Sequence, residues 1–262
     1  MFVDTHAHLQ WSSFDGDREE VIVRARKAGV ENIVNIGFDI DGSRKAIDLA
    51  EKHKGLWATV GIHPHQASQF NDGIMGTLRK LCENPRVVAV GEIGLDYYRN
   101  LSPKEAQREA FRAQLLLATE LKLPVVIHDR DAHIEILDIL SEFKGKTRGV
   151  MHYFSGDREM AEKCIKSGFY ISFAGPVTFP HSSSQHEIAK RIDLNRMLLE
   201  TDSPWLAPQN ARGKRNEPAF IPFIAKKVAS LRGIPLNELA EATTQNAKRI
   251  FQALAEASFK QS

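Results

Sequence analysis

Cysteine is nearly absent from this chain of 262 residues; only Cys82 and Cys164 occur, far apart and without CxxC spacing. That excludes a disulfide framework and a thiolate metal cage, and leaves two reduced, partly buried structural thiols. No apolar run approaches the roughly 18 residues that a spanning helix needs. The N-terminus lacks a basic stretch ahead of an apolar core, so the expectation is a cytoplasmic protein with no membrane partner. Neither sign of charge dominates, since 35 Lys and Arg stand against 33 Asp and Glu for a formal net of +2. A coat of basic charge is thereby excluded, while an anionic partner stays compatible. No GxGxxG or GxxxxGK[ST] follows an early strand, which removes the phosphate turn that an open doubly wound sheet would use. No linker, low-complexity tract or repeat divides the chain.

What the chain does have is an alternation that runs its whole length. FVDTHAHL, ENIVNIG, WATVGIHPH, RVVAVGEIGLD, PVVIHDRD, RGVMHYFSG, YISFAGPVT and RMLLETDSP read as eight strands, apolar on both faces. Between them lie segments with apolar residues at three- and four-residue spacing, clearest in PKEAQREAFRAQLLLATELKL. Pro103 suits the first turn of that helix, and Gly29 and Gly168 suit helix ends. Beyond strand eight, AFIPFIAKKVASLRG and LNELAEATTQNAKRIF read as two further helices. The pattern predicts an α/β protein, a parallel (β/α)8 TIM barrel forming a single domain over 1–262 with extra C-terminal helices. Such barrels run to about 250 residues.

The opening MFVDTHAHLQ places His6 and His8 on one face of the first strand, where two imidazoles can reach one cation. An isolated HxH arises often by chance, and one packed and one solvated histidine is its ordinary meaning. Recurrence changes that. His63, Glu92, His128, His152 and Asp202 break the apolar runs near the C-terminal ends of five further strands. Singly, Glu92 could pair with an arginine, Asp202 could cap or turn, His63 could be turn chemistry before proline, and His128 could be a satisfied strand-end histidine. Together they converge on the barrel mouth where active sites sit. The donors are nitrogen and oxygen without thiolate, which suits Zn²⁺ or Mn²⁺ and Mg²⁺ less naturally. They exceed what one catalytic ion uses and suffice for two divalent ions about 3.5–4 Å apart bridged by a carboxylate, an arrangement built for hydrolysis.

VDTHAHL, GIHPH, VGEIGLDYY, PVVIHDRDA, MHYFSG, ISFAG and LLETDSPWLAP followed by RNEP occur in that order over nearly the whole chain. In these stretches the sequence resembles the TatD family of metal-dependent deoxyribonucleases, within the amidohydrolase-like superfamily. The resemblance implies that His6, His8, Glu92 and Asp202 hold one metal and that Glu92, His128 and His152 hold the other, with Glu92 bridging. It also implies hydrolysis of DNA phosphodiester bonds, expected as 3'-5' exonuclease action on single strands or ends. Gln10 stands where many members carry Asp, a departure expected to affect loop packing rather than metal binding. Glutamate at position 92, where some related barrels use a carboxylated lysine, counts against a cyclic-amide substrate.

Asp202 is the candidate to orient or deprotonate the attacking water while remaining a ligand. His63 and Arg130 are candidates to grip the phosphate; a salt bridge from Arg130 to Asp129 or Asp131 is the competing reading. Arg212, with Lys214 and Arg215 in ARGKRNEP, is placed to meet a phosphate backbone unless it is an ordinary solvated charge run. Tyr97, Tyr98, Phe154 and Trp205 follow ligand positions closely enough to stack on an exposed base, although Phe154 reads better as packing. Two other functions fit the residues. One is a metal-dependent ester or amide hydrolase such as a D-aminoacyl-tRNA deacylase, with tRNA as partner. The other is a non-catalytic nucleic-acid-binding barrel, which would not need every ligand. Nothing in the sequence opposes a monomer.

Overall fold

A computed structural model describes residues 1–255 of the chain. Its strands are β1 (Phe2–Ala7), β2 (Val30–Asn35), β3 (Leu56–Val60), β4 (Val87–Asp96), β5 (Val125–Arg130), β6 (Gly149–Met151), β7 (Phe169–Phe173) and β8 (Met197–Leu199). They pair in parallel and in chain order. The chain just past β8 brings the two edges together: Asp202 N donates to the His6 carbonyl and His8 N to the Ser203 carbonyl, each at 2.8 Å. The result is a nearly closed (β/α)8 TIM barrel, as the alternation predicts.

Between the strands run α1 (Arg18–Lys27), α2 (Ile40–Lys52), α3 (Asp72–Leu81), α4 (Lys104–Leu121), α5 (His133–Glu142), α6 (Arg158–Lys166) and α7 (Ser183–Arg191). Several start where a short polar side chain satisfies an orphan N–H: Asp39 accepts from Gly42 N, Asn71 from Ile74 N and Asp157 from Met160 N. Pro103 immediately precedes α4, where its missing N–H costs nothing. The tail helices are α8 (Ile221–Arg232) and α9 (Leu236–Ile250). Helix α8 packs on α7 and completes the outer ring, so α9 is the additional element. The C-terminal end of α9, with Ala247, Ile250 and Phe251, packs against Val34, Trp57, Val126, Val150 and Leu198 from the strands. Asn246 Nδ2 bonds the carbonyls of Leu194 and Met197 at the start of β8. The N-terminal end of the barrel is thereby plugged with apolar side chains, and the other end stays open. Residues 256–262 of the expected single domain lie outside the described residues. Burial pushes the Cys82 and Cys164 thiols up to about 12, which suits inert structural roles. Among the described residues no helix is long and apolar enough to cross a membrane.

Two strands break their alternation where it matters. In β1 the pairing steps from Asp4↔Ile33 to Ala7↔Asn35, three residues against two. In β4 it steps from Val90↔Val125 to Ile93↔Ile127 across Glu92. An extra residue resets which side chains face which way, and such bulges re-aim side chains. Four expected strand residues instead lie just beyond their strands, the first being His8, one residue past the end of β1 at Ala7. β3 ends at Val60, and His63 takes an extended conformation (φ −62°, ψ 147°) before Pro64, as a residue preceding proline must. β6 ends at Met151, one residue before His152. β8 ends at Leu199, and Asp202 turns the chain with φ 56°.

Candidate active site

Glu92 is the hub. Its Oε2 lies 3.5 Å from His6 Nε2 and 3.8 Å from His8 Nε2. Its Oε1 lies 2.8 Å from His128 Nδ1, 3.3 Å from His152 Nε2 and 3.6 Å from His63 Nε2. Asp202 Oδ1 closes the first group from the other side, 3.5 Å from His6 Nε2 and 3.6 Å from His8 Nε2. One carboxylate thus stands between two clusters, each addressed by a different oxygen.

The far side of each ring decides what its near side offers. His8 Nδ1 faces the Ile36 carbonyl at 3.1 Å. A carbonyl only accepts, so the proton sits on Nδ1 and the Nε2 lone pair faces the cluster. His152 Nδ1 donates to Glu200 Oε1 at 2.9 Å, and the same oxygen accepts Tyr153 N at 2.7 Å. His128 Nε2 donates to Asp96 Oδ2 at 3.1 Å, which leaves Nδ1 to face Glu92. Asp96 also binds His65 Nε2 at 2.8 Å. His63 differs from the rest. Its Nδ1 accepts the His65 backbone N–H at 3.1 Å, so the neutral ring carries its proton on Nε2 and presents a donor. Beneath the site, buried Asp4 accepts from Thr201 N at 2.9 Å and Thr201 Oγ1 at 2.5 Å, tying β1 to the turn that carries Asp202.

The charges follow from these neighbours. Burial opposes ionisation of Glu92, but His152, His63 and His6 around it hold its carboxyl well below the usual range. Asp202 is likewise held low against its burial by the His8 contact and by His152 and His6. Burial keeps His63 neutral, with its pKa well below the usual value. Burial disfavours charge on His128 too, yet Asp96 and Glu92 hold it up at about 9. Burial pushes the Asp4 carboxyl up to about 7.

These residues fit a divalent cation. His6 Nε2 and His8 Nε2 approach to 3.0 Å with two carboxylate oxygens beside them, and no lysine or arginine stands among the donors. His6–His8–Glu92 and His6–His152–Asp202 are each close enough to serve one ion, and in the third close group, His63–Glu92–His128, His63 turns a proton rather than a lone pair toward Glu92. His8, His63, Glu92, His128, His152 and Asp202 line a cleft of about 690 Å³ at the unplugged end of the barrel, a volume ordinary for a ligand site, while His6 is fully buried.

A family model described as "TatD related DNase" matches residues 3–252. The chain belongs to this family. It is 43% identical over 253 residues to the uncharacterized metal-dependent hydrolase YabD of Bacillus subtilis (strain 168), covering 96% of this chain and 99% of that one. It is 42% identical over 255 residues to the 3'-5' ssDNA/RNA exonuclease TatD of Erwinia tasmaniensis, covering 95% and 98%. Among solved structures, the TatD homolog YJJV from Escherichia coli K12 superposes with a TM-score of 0.90 at 32% identity, covering 96% of this chain and 98% of that one. Organophosphorus hydrolases at 14% identity share the fold alone.

The remaining sequence-predicted residues divide. Arg130 lines the cleft, and its guanidinium lies 4.0 Å over the Tyr98 ring. No salt bridge to Asp129 or Asp131 forms; Asp129 pairs instead with His133 at 2.8 Å. Trp205 also lines the cleft. Tyr97 does not. β4 ends at Asp96, and the next residue turns outward, where the Tyr97 hydroxyl donates to Glu135 and Lys104 Nζ sits 4.2 Å over the ring. Arg212 is exposed and outside the cleft lining. Arg215 is committed to Asp17 at 2.7 Å and to the Phe14 ring. Phe154 is buried packing. Gln10 does more than pack a loop, because its Nε2 shares the Ile36 carbonyl that orients His8.

Sequence reasoning passed over Asp4, Asp96 and Glu200. Their signal was present: each is an acid embedded in an apolar strand run, in FVDTH, EIGLD and LLETD.

Proposed function

We propose that this chain is a divalent-metal-dependent 3'-5' exonuclease acting on single-stranded DNA. Family membership makes it a hydrolytic nuclease of the TatD-related DNase type. The finer reading takes support from relatives named 3'-5' ssDNA/RNA exonuclease. In this reading His6, His8, Glu92 and Asp202 hold one cation, and Glu92, His128 and His152 hold the second. The observation that carries it is the split of the Glu92 carboxylate, with Oε2 toward His6 and His8 and Oε1 toward His128 and His152. Mg²⁺, Mn²⁺ and Zn²⁺ are the candidate ions.

Two such cations, when bound, lower the pKa of water and offset charge on phosphoryl oxygens. The chain's own residues do the rest. Asp202 meets His6 and His8 through Oδ1 and keeps Oδ2 to orient the attacking water and take its proton. His63 donates from Nε2 to a phosphate oxygen, the role its tautomer allows. Arg130 offers a planar fork of donors for the same group. Glu200, Asp96 and the Ile36 carbonyl hold the three rings at fixed rotations. The same reading carries the expectation of a cytoplasmic enzyme.

The test strips the protein of metal and restores Mg²⁺, Mn²⁺ or Zn²⁺ over 5'- and 3'-labelled single-stranded DNA, with Glu92→Ala alongside. Metal-restored, stepwise shortening from the 3' end that the variant lacks is the expected result. Deacylation of a D-aminoacyl-tRNA without DNA cleavage would replace the nuclease reading with an ester hydrolase.

A further inference from the structure

Three aromatic rings from three separate loops meet on one flank of the cleft and take no part in the metal chemistry. Trp11 follows β1, Phe38 follows β2 and Trp205 follows β8. The Trp11 and Trp205 rings are 5.1 Å apart at 69°, and Trp11 and Phe38 are 5.3 Å apart at 55°. Trp205 also stands edge-on to His8 at 5.2 Å. The rings brace one another, yet Trp11 remains 37% exposed and Trp205 43% exposed. Large aromatic faces held by neighbours and turned to water in a cleft mark a binding surface.

The opposite flank has a contrasting character. Arg99 follows β4, and Arg130 ends β5; both line the same cleft. In an eight-strand ring taken in order, β4 and β5 lie half a turn from β8 and β1. Among the described residues neither guanidinium is paired with a carboxylate, although Asp129 and Asp131 lie beside Arg130 in sequence. Glu92 and its histidines lie between an aromatic wall and two arginines without a carboxylate partner, one of them, Arg130, resting on the Tyr98 ring.

We propose that Trp11, Phe38 and Trp205 form a subsite that stacks the nucleobase adjoining the cleaved phosphate, while Arg130 and Arg99 hold backbone phosphate across the cleft. The inference rests on the nuclease reading and deepens it. Stacking accepts any base, because every base has a π-face, so this subsite imposes no sequence preference. It does impose strandedness. A base inside a duplex has both faces covered by its neighbours, and only an unpaired base can leave the stack to meet these rings. Selectivity for single strands then follows from the wall rather than from a long basic stripe, which the chain lacks.

The experiment measures binding of the metal-loaded protein to a 5'-fluorescent single-stranded oligodeoxyadenylate whose 3'-end linkages are phosphorothioates resistant to cleavage. Fluorescence anisotropy is compared for the unaltered protein, Trp11→Ala, Trp205→Ala and Trp205→Phe. Each alanine variant is expected to weaken binding by about 5- to 150-fold, the range for a lost base stack, and Trp205→Phe is expected to recover most of the loss. Repeating the titrations with an abasic residue at the terminal or the penultimate position locates the base. On one of these two oligonucleotides the alanine variants should bind as the unaltered protein does. Alanine variants that bind the full oligonucleotide normally, or that lose equal affinity for all three, overturn the subsite. Failure of the unaltered protein to bind any of them removes the nuclease reading and the subsite with it.

Discussion

Glu200 touches no candidate cation, and removing it should nevertheless loosen one. Its side chain is fully buried, and a single oxygen accepts both His152 Nδ1 at 2.9 Å and Tyr153 N at 2.7 Å. Glu200→Ala frees the His152 ring to rotate and leaves one buried and one part-buried donor unpaired. Losing the partner that orients a metal-binding histidine typically costs 10- to 100-fold in metal affinity, about 1.4–2.7 kcal/mol. The unpaired donors add a stability loss of about 1–3 kcal/mol each. Glu200→Gln is the conservative control, because an amide oxygen at the same place still accepts both bonds while the charge is lost. The assay titrates metal-stripped protein with Zn²⁺ or Mn²⁺ against a chromophoric chelator, beside urea unfolding of the same samples. The expected order of affinity for the weaker-bound ion is unaltered protein, then the glutamine variant, then the alanine variant. An alanine variant that loses stability and binds metal unchanged would refute the orienting role.

Two further outcomes can be checked on the same footing. Gly94 has φ 142°, and a Cβ there would stand 2.0 Å from the His128 carbonyl oxygen; Gly94→Ala should cost at least about 1–3 kcal/mol in a urea melt, from backbone strain alone, and lower nuclease activity by pushing β4 away from His128. Asp17 is held at about 2, chiefly by hydrogen bonds from Arg215 and Arg24. Because that folded value lies below the unfolded one, the carboxylate contributes stability above about pH 4 and loses it as pH falls toward 2. Asp17 is partly exposed, so the effect is small. Urea melts at pH 5 and pH 3 should show a shallower decline in Asp17→Asn than in the unaltered protein, and parallel declines would refute the assignment.

The barrel was legible because its signal is repeated. Each strand is a short β-branched run closed by a turn, and each is followed by helical spacing, so no single misread element changes the architecture. The site was legible for the same reason: an acid or imidazole near the end of strand after strand has one place to converge. What escaped depends on contacts between distant segments. Nothing near His152 in sequence says that Glu200 will hold its ring, because β6 and β8 meet it only in the closed barrel. The tautomer of His63 hangs on one backbone N–H of His65. Strand alternation carried Arg130 to the cleft, whereas nearness to Glu92 in sequence misplaced Tyr97, which follows the end of β4 and turns onto the ion pair of Arg108 and Glu135. Trp11 drew no notice because a lone tryptophan after a strand is ordinary; its meaning comes from Phe38 and Trp205 arriving beside it.

The central claim is that Glu92 stands between two cations. Crystals of the protein loaded with Mn²⁺ or Zn²⁺, measured at the absorption edge of the metal, test it directly. Two anomalous peaks about 3.5–4 Å apart are expected, one beside Oε2 with His6 and His8, the other beside Oε1 with His128 and His152. A single peak, or two peaks on the same side of the Glu92 carboxylate, would contradict it.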